Sequence, residues 1–560
     1  MNDSTTRQTA LLLGDEAAAL GALHEGLSAA YGYPGTPSTE IMEYLIAEYD
    51  RSRNAGTGGP VARWCSNEKT ALEAALGVSF AGRRSMVTMK HVGLNVAGDP
   101  FINGSLLGIK GGLVIAVADD PGMHSSQGEQ DSRFYAAFAM IPCLEPRNQQ
   151  EAYDMAREAF NLSEAFNVPV MLRLVTRLSH ARAAVRTAEG RPQNPCGKAE
   201  DRTRWMLLPV FARKNYGALI EKQEALLRWS GGNPVNRLER GDEKRAVITS
   251  GLGGNYYEEN LSDLVAGGRE APSRLHVGAY PLPADLVRSL CEKAETLLVI
   301  EEGQPFIEER VRGILPQGIV IHGKLDGFFP RQGELDPDNI RKGLGLPPRP
   351  NILAAGFRAP EGSEGLPDLP GRPPQLCAGC PHGDSYETIN RVTAALDSSP
   401  NHPSVAVCSD IGCYSLGAAP PYSAIESIVC MGASIGMARG AAEAGIPYAM
   451  AVIGDSTFIH SGITGLIDAV QAGTPLTIII LDNSITAMTG CQPTMVPSGR
   501  LRALVLGTGL DPDHLLELEA KKPLLEENAA RLRREVEYRG LSVAIFRREC
   551  LEAARKRKHT

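Results

Sequence analysis

Two apolar strands separated by a single helix constrain the fold of this chain more than any other feature. Residues 448–483 read YAMAVIGDSTFIHSGITGLIDAVQAGTPLTIIILDN, with strand-length apolar runs at both ends and a helical stretch between them. A strand, a crossover helix and a second strand form the repeating unit of a parallel sheet. This stretch therefore predicts an α/β domain.

Each of these two strands ends in a polar pair, GD at the first and DN at the second. The carboxyl ends of parallel strands lie at one edge of a sheet, so we expect Asp455 and Asn483 to lie there together. A carboxylate and an amide oxygen suit a Mg²⁺ ion held by a diphosphate, and Ile485 completes the predicted magnesium set. Gly454 would let the backbone approach the phosphates, and the helix that follows Ser456 would supply N–H donors.

A GD pair followed about 28 residues later by a DN pair resembles the thiamine diphosphate motif, although Ser456 stands where a second glycine is usual. A thiamine site also needs a carboxylic acid beside the aminopyrimidine ring, and in this enzyme class that acid lies on another domain. The candidate is Glu68 in WCSNEKTALEAALG, because the apolar helix that follows would shield it from water. An exposed glutamate that stabilises a helix N-terminus is the alternative.

The rest of the sequence divides into further blocks. Residues 1–185 and 244–345 alternate β-branched runs with helical stretches, as does the block at 376–560, which contains the GD and DN pairs. Residues 186–243 are polar and irregular with one charged helix, which indicates a linker or excursion. Residues 346–375 are rich in proline and predict a second linker. We expect a multi-domain α/β protein.

Composition excludes several functional classes. The 560 residues carry a net charge of −8, which argues against a nucleic-acid-binding surface. The longest apolar runs have strand length, below the ~20 residues of a membrane span, and the N-terminus has no secretion signal. We therefore expect a cytoplasmic protein that neither crosses nor binds a membrane. In that reducing compartment, the 11 cysteines predict a metal, a cluster or plain burial rather than disulfides.

Two of these cysteines, Cys377 and Cys380, form a C-x-x-C motif in CAGCPHGD. Redox dithiols, zinc sites and iron–sulfur clusters all use this spacing. The motif alone leaves the three chemistries open.

Seven motifs that occur in order along the chain resemble the large subunits of indolepyruvate:ferredoxin oxidoreductases: YGYPGTPSTEI, NEKTALEAALG, MKHVGLN, HSSQGEQDSR, LCAGCPHGD, SDIGCYSLG and IGDSTFIHSGITGLIDA. These subunits belong to the thiamine diphosphate-dependent 2-oxoacid:ferredoxin oxidoreductases. The resemblance implies a pyrimidine-binding domain, a transketolase-C-like domain and a pyrophosphate-binding domain for the three blocks. It also implies oxidative decarboxylation of an arylpyruvate with coenzyme A to an aryl-acetyl-CoA, carbon dioxide and two low-potential electrons.

The same resemblance assigns roles near the substrate. It implies that Thr36 donates a hydrogen bond to the oxoacid, and that Lys90 and His91 lie near the thiazolium ring and the substrate. His124 would belong to a loop at the same mouth. A simple turn at Thr36 and purely structural histidines are the alternatives.

The superfamily holds a proximal [4Fe–4S] cluster with four cysteines from three separate segments. The matching residues here are Cys377, Cys380, Cys413 and Cys550. A zinc site with four cysteines has the same ligand count and stays an alternative.

The family resemblance weakens at the C-terminus, because family members usually continue into a ferredoxin-like domain and this sequence ends ten residues after Cys550. We therefore expect electrons to leave the single cluster directly, to ferredoxin or another acceptor protein. The resemblance also implies a smaller beta subunit, in a heteromer with a dimerised large subunit. A non-oxidative thiamine-dependent arylpyruvate decarboxylase and a catalytically silent assembly subunit are the alternatives.

Overall fold

The computed structural model describes residues 9–198, 200–266, 268–349, 374–396 and 405–559. The chain forms two compact units, Met1–Gly362 and Ser363–Thr560. Both contain parallel sheets flanked by helices, which confirms the predicted α/β class. Within the described ranges, no helix is both long and apolar enough to cross a membrane.

The first unit contains a seven-stranded sheet, a five-stranded sheet and an antiparallel strand pair. Its strands are β1 (Thr9–Leu13), β2 (Ala29–Gly32), β3 (Val61–Trp64), β4 (Ser85–Lys90), β5 (Leu113–Asp119), β6 (Cys143–Leu144), β7 (Val170–Val175), β8 (Arg182–Arg186), β9 (Arg237–Glu239), β10 (Asp242–Ser250), β11 (Pro272–Val277), β12 (Ala279–Tyr280), β13 (Thr296–Ile300) and β14 (Val320–His322). Its helices are α1 (Gly14–His24), α2 (Thr39–Ala55), α3 (Glu68–Phe80), α4 (His91–Val96), α5 (Gly98–Leu107), α6 (Ser132–Phe138), α7 (Gln149–Phe166), α8 (Thr176–His180), α9 (Pro209–Gly232), α10 (Leu252–Glu259), α11 (Leu261–Leu264), α12 (Ala284–Leu290) and α13 (Phe306–Ile314).

The larger sheet has the order β12-β6-β7-β5-β4-β2-β3 and is parallel except for β12, which runs antiparallel to β6. Its central strand β5 is buried along its whole length, as an apolar run in a parallel sheet should be. The smaller sheet has the order β14-β13-β10-β11-β9. Because β12 follows β11 in the chain and pairs with β6, the two sheets are joined within one unit.

The predicted excursion at 186–243 contains α9, β9 and a 3₁₀ turn at Arg202–Trp205. The α9 side chains Leu219 and Leu226 are buried, so this helix covers part of the core. Most of the predicted proline-rich linker lies outside the described residues. The boundaries proposed for the domains stay a prediction.

The second unit is built on one six-stranded parallel sheet with the order β16-β15-β17-β18-β22-β21. Its strands are β15 (Val405–Ser409), β16 (Ser427–Ile428), β17 (Tyr448–Gly454), β18 (Thr477–Asp482), β19 (Ile485–Thr486), β20 (Gln492–Pro493), β21 (Leu515–Glu519) and β22 (Ser542–Arg547), of which β19 and β20 form a separate antiparallel pair. Its helices are α14 (Pro381–Leu396), α15 (Ala433–Glu443), α16 (Asp455–Thr457), α17 (Ile463–Ala472), α18 (Ser498–Leu506), α19 (Leu525–Glu537) and α20 (Leu551–His559). A π-helical turn, Phe458–Gly462, joins α16 to α17, a local distortion that often accompanies functional sites.

Candidate active site

The two polar pairs predicted from the sequence meet at one edge of the second unit's sheet. Asp455 follows β17 directly, and Asn483 follows the neighbouring strand β18. The Asp455 carboxylate is buried and accepts backbone N–H bonds from Ser456 at 2.8 Å and from Ser484 at 2.9 Å. The backbone after β18 therefore folds over this carboxylate.

Electrostatics at this edge favour a cation. Burial, and secondarily the charge of Asp482, raise the pKa of Asp455 to about 8. In the described part of the chain, no lysine, arginine or histidine forms an ion pair with Asp455. A buried carboxylate that lacks a positive partner is costly, and a bound divalent cation would offset that cost.

The oxygen atoms near Asp455 are of the chemical types that bind magnesium. Asn483 Oδ1 lies 3.1 Å from the backbone nitrogen of Ile485, which donates to it. Carboxylate, amide and carbonyl oxygens are the donors that a hard cation prefers. No three His, Cys, Asp or Glu side chains among the described residues are arranged around a common metal position. The predicted magnesium set contains only one such side chain, Asp455.

Gly454 and Ser456 flank Asp455 at the start of α16, and each contacts a neighbouring side chain. A Cβ at Gly454 would lie 2.4 Å from the ring of Tyr414. The Tyr414 ring therefore requires glycine at this position, in addition to any phosphate that approaches the backbone there. Ser456 Oγ accepts a hydrogen bond from the Thr486 hydroxyl at 3.0 Å. The side chain that replaces the usual second glycine thus holds the segment after β18.

Sequence reasoning missed two residues in this region, Tyr414 and Asp410. The Tyr414 hydroxyl donates a very short hydrogen bond to buried Asp410, which also accepts one from the Ser434 hydroxyl at 2.6 Å. Burial raises the pKa of Asp410 to about 6. Both residues lie in SDIGCYSLG, but a sequence motif does not show which ring packs on which glycine.

The four predicted cluster cysteines come from three segments of the second unit. A tight turn at positive φ on Gly379 connects Cys377 and Cys380, with the Cys380 N–H donating to the Cys377 carbonyl at 2.9 Å. The Cys550 N–H donates to the Asn483 carbonyl at 3.3 Å. The fourth cysteine, Cys413, is close enough to the other three to interact with them electrostatically: burial raises the pKa of the Cys413 thiol to about 12, and the neighbouring thiols add to the increase.

His382 lies beside this group of thiols and was not predicted. Its Nε2 atom is 3.4 Å from Cys413 Sγ and 3.1 Å from Asn483 Nδ2. Burial lowers the pKa of His382 to about 4, so the ring is neutral near pH 7. Thiolate and imidazole donors suit zinc or an iron–sulfur cluster. The described thiols are not already arranged around one metal position.

In the first unit, Glu68 begins α3 and its side chain is shielded from water as predicted, with 6% exposure. The Asn67 side chain caps the helix by accepting the Thr70 N–H at 2.9 Å. The Glu68 carboxylate lies against Gly93 of α4, where a Cβ would approach Oε1 to 2.4 Å. The acid is therefore fixed between two helix N-termini.

The predicted substrate residues Thr36 and Lys90 are connected through Ser125. The Ser125 hydroxyl donates to the Thr36 carbonyl at 3.3 Å, and Lys90 Nζ donates to the Ser125 carbonyl at 3.2 Å. Burial lowers the pKa of Lys90 to about 8, although Asp120 opposes this effect. The Lys90 ammonium group, whose pKa is lowered, therefore lies close to the loop that contains Thr36.

The two predicted histidines differ in environment. His91 is buried, with Nε2 donating to the Gly128 carbonyl at 3.0 Å, while Nδ1 is buried without a hydrogen-bond partner. His124 is 54% exposed and lies 3.2 Å from the Glu334 carboxylate. Of the two, His91 alone has a buried unpartnered nitrogen.

Comparison with known proteins gives matches for both units. Residues 20–202 match the thiamine diphosphate-binding family of pyruvate flavodoxin/ferredoxin oxidoreductases, and residues 410–517 match the C-terminal TPP-binding domain of thiamine pyrophosphate enzymes. Indolepyruvate oxidoreductase subunit IorA of Archaeoglobus fulgidus is 36% identical over 96% of this chain and 86% of its own length. The IorA subunit of Thermococcus kodakarensis is 35% identical over 96% and 85%. A solved 2-oxoglutarate:ferredoxin oxidoreductase from Magnetococcus marinus aligns over 62% of this chain and 66% of its own, with 16% identity and a TM-score of 0.49.

Proposed function

Because this chain belongs to the family of indolepyruvate oxidoreductase IorA subunits, thiamine diphosphate-dependent 2-oxoacid oxidoreductases, we propose that it oxidatively decarboxylates an arylpyruvate such as indolepyruvate. Coenzyme A would be the co-substrate, and the products would be an aryl-acetyl-CoA, carbon dioxide and two low-potential electrons. The observation that carries this proposal is the buried Asp455 carboxylate beside Asn483 at the ends of two neighbouring parallel strands.

The chain's own residues would hold and orient the cofactor. Asp455, Asn483 and Ile485 would bind Mg²⁺, and Gly454 and Ser456 would lie at the diphosphate. When bound, thiamine diphosphate would supply the nucleophilic carbon and the electron sink for decarboxylation.

Glu68 would hold a proton at N1′ of the aminopyrimidine ring. Its burial and its contact with Gly93 support that role, since a proton-transferring acid needs a fixed position and little water.

Three residues near Glu68 in the sequence would recognise the substrate. Lys90 carries the charge that a 2-oxoacid carboxylate requires, and the Thr36 hydroxyl would donate a hydrogen bond to the oxoacid. His91 has a buried nitrogen without a partner that could accept a proton or a hydrogen bond from the substrate. Donors fixed before the substrate arrives lose less entropy on binding than mobile ones.

Electron transfer would depend on the cysteines. Cys377, Cys380, Cys413 and Cys550 would hold one [4Fe–4S] cluster, which supplies one-electron transfer to ferredoxin or another acceptor protein. We propose a cytoplasmic location, where a reducing environment keeps such thiols available as ligands. The relatives are named as subunits, which supports the existence of a partner subunit. In our proposal this partner is a smaller beta subunit, in a heteromer with a dimerised large subunit.

Anaerobic purification with the co-expressed smaller subunit tests the reaction. We expect iron and sulfide in the protein, and reduction of a low-potential dye that depends on indolepyruvate and coenzyme A. Zinc in place of iron would overturn the cluster assignment. Release of an aldehyde without dye reduction would overturn the oxidative reaction in favour of a non-oxidative decarboxylase.

A substitution of Glu68 tests the proton role separately. Glu68→Gln should lower turnover by about 10²–10⁴-fold while thiamine diphosphate still binds, as measured by quenching of intrinsic fluorescence. Glu73→Gln is the matched control, because Glu73 lies on the same helix with an exposed side chain that pairs with Lys69. Unchanged turnover in Glu68→Gln would remove Glu68 from the mechanism.

A further inference from the structure

A cavity of about 130 Å³ lies in the first unit, formed by α6, α9, α13 and the segment after β12. Its walls are mainly apolar, and they include Ala136, Met140, Ile141, Leu226, Leu282 and Phe306. None of the residues proposed above for thiamine diphosphate, substrate or cluster binding lines it. An engineered apolar cavity of ~150 Å³ is large enough for benzene, so this space is comparable with a small aromatic ring.

One wall of the cavity carries a guanidinium group that forms no ion pair with any described residue. The Arg310 guanidinium lies 3.5 Å from the centre of the Phe306 ring and 5.3 Å from that of Phe134. Its Nη1 donates to the Phe306 carbonyl at 3.0 Å. Among the described residues, no carboxylate lies within ion-pair distance of Arg310. Two rings and one carbonyl therefore fix this cation in place without a direct ion pair.

The second arginine on the cavity wall is in the opposite situation. Arg133 is fully buried and pairs with Asp131 at 2.5 Å and with Glu301 at 3.1 Å. Arg133 therefore forms direct ion pairs, whereas Arg310 forms none among the described residues. Burial, and secondarily the charge of Arg133, lower the pKa of Arg310. The more weakly acting carboxylates of Glu309, Glu301 and Asp131 oppose this decrease. An anion bound at Arg310 would offset the effects of burial and of Arg133.

We infer that this cavity binds a small organic monoanion, with the carboxylate on Arg310 and an aromatic or similarly compact apolar body against the cavity walls. Arginine suits this role because its planar guanidinium can donate two parallel hydrogen bonds to one carboxylate. The apolar walls contribute by removing the body of the ligand from water. The inference does not depend on the proposed catalytic function.

Phenylacetate and its neutral analogue phenylacetamide are the probes for this site. Calorimetric titration of the full chain should show saturable phenylacetate binding in the millimolar range or tighter. Arg310→Gln should weaken phenylacetate binding by about 10-fold or more, as expected for a charge-assisted hydrogen bond, and leave phenylacetamide binding unchanged. The control is Arg288→Gln, because Arg288 is exposed and pairs with the exposed side chain of Asp285.

Two further variants locate the binding. Ala137→Trp, at the exposed rim of the cavity, should abolish binding of both probes without disturbing the core. Lys90→Met should leave phenylacetate binding intact. The inference would be overturned if the wild-type chain showed no saturable binding at millimolar ligand, or if Arg310→Gln bound phenylacetate with equal affinity. Loss of binding in Lys90→Met would also overturn it, because the anion would then bind at the proposed substrate site.

Discussion

The carboxylate of Glu68 lies directly against the α-carbon of Gly93, so that a Cβ at position 93 would approach Glu68 Oε1 to 2.4 Å and Cγ to 2.7 Å. Glu68 begins α3, and Gly93 lies in α4, which begins at His91. The absence of a side chain at position 93 thus determines where the proposed proton-transferring acid lies. The same short helix positions His91.

Replacement of Gly93 by alanine should move the acid without unfolding the protein, because the obstructing atoms belong to the end of a flexible side chain. We expect Gly93→Ala to lower turnover by about 10²-fold or more, since proton transfer depends on geometry first. Steady-state kinetics beside a thermal unfolding curve measures both effects. Gly77→Ala is the control, because a Cβ at Gly77 in α3 meets nothing within 4 Å. Normal turnover in Gly93→Ala would show that this contact does not matter.

Lys90 should make substrate binding depend on pH. Burial lowers its pKa to about 8, so the side chain is charged below that pH and loses its charge above it. We expect KM for the 2-oxoacid to rise as pH increases through about 8. Lys90→Met should raise KM roughly 10–100-fold and remove this pH dependence. Initial rates across pH 6.5–9.5 test this, with exposed Lys110→Met as control. A pH-independent KM in the wild type would contradict the assignment.

The sequence predicted contacts that follow from the period of secondary structure, and missed those that depend on packing between elements. The proximity of Asp455 and Asn483 is predictable because parallel strands share one carboxyl edge. The shielding of Glu68 followed from its apolar helix. The contact of Glu68 with Gly93 depends on how α3 and α4 pack, and the contact of Gly454 with Tyr414 depends on where the Tyr414 ring lies. Hydrophobic periodicity specifies neither.

Asp455 should make the cofactor-free protein less stable as pH rises. Its pKa is about 8 in the folded chain against 3.8 for an ordinary aspartate, because of burial and then the charge of Asp482. The folded state therefore binds more protons than the unfolded state between pH 4 and 8, and stability falls as pH rises through that window. Denaturant midpoints measured across it should decline, and Asp455→Asn should flatten the decline.

Asp468→Asn is the control for this pH profile, because Asp468 is exposed on the neighbouring helix α17 and lies 3.8 Å from Arg439. Magnesium with thiamine diphosphate should recover stability near pH 8 in the wild-type chain and not in Asp455→Asn, since only the ionised carboxylate binds the cation. A flat wild-type profile would contradict the prediction.

Asp131 should contribute strongly to the stability of the first unit. It is fully buried and pairs with Arg133 at 2.5 Å and with Arg173 at 3.6 Å. Burial alone would raise the pKa of Asp131, but the charges of these two arginines hold this pKa at about 2. Asp131 also accepts the Gln304 N–H at 3.1 Å, which connects the residue before α6 to the segment after β13, a strand of the smaller sheet.

Asp131→Ala would remove one carboxylate from a buried network in which Arg133 keeps Glu301 and Arg173 keeps Asp119. Breaking a buried pair typically costs about 3–5 kcal/mol. We expect a loss of that size in the free energy of unfolding near pH 7. In the wild type the contribution of Asp131 should be lost as pH falls from about 4 to about 2, because its pKa is lower in the folded state. Asp285→Ala, which removes an exposed pair with Arg288, should change stability by less than about 1 kcal/mol. If the two variants were equally stable, Asp131 would not contribute strongly to the stability of this unit.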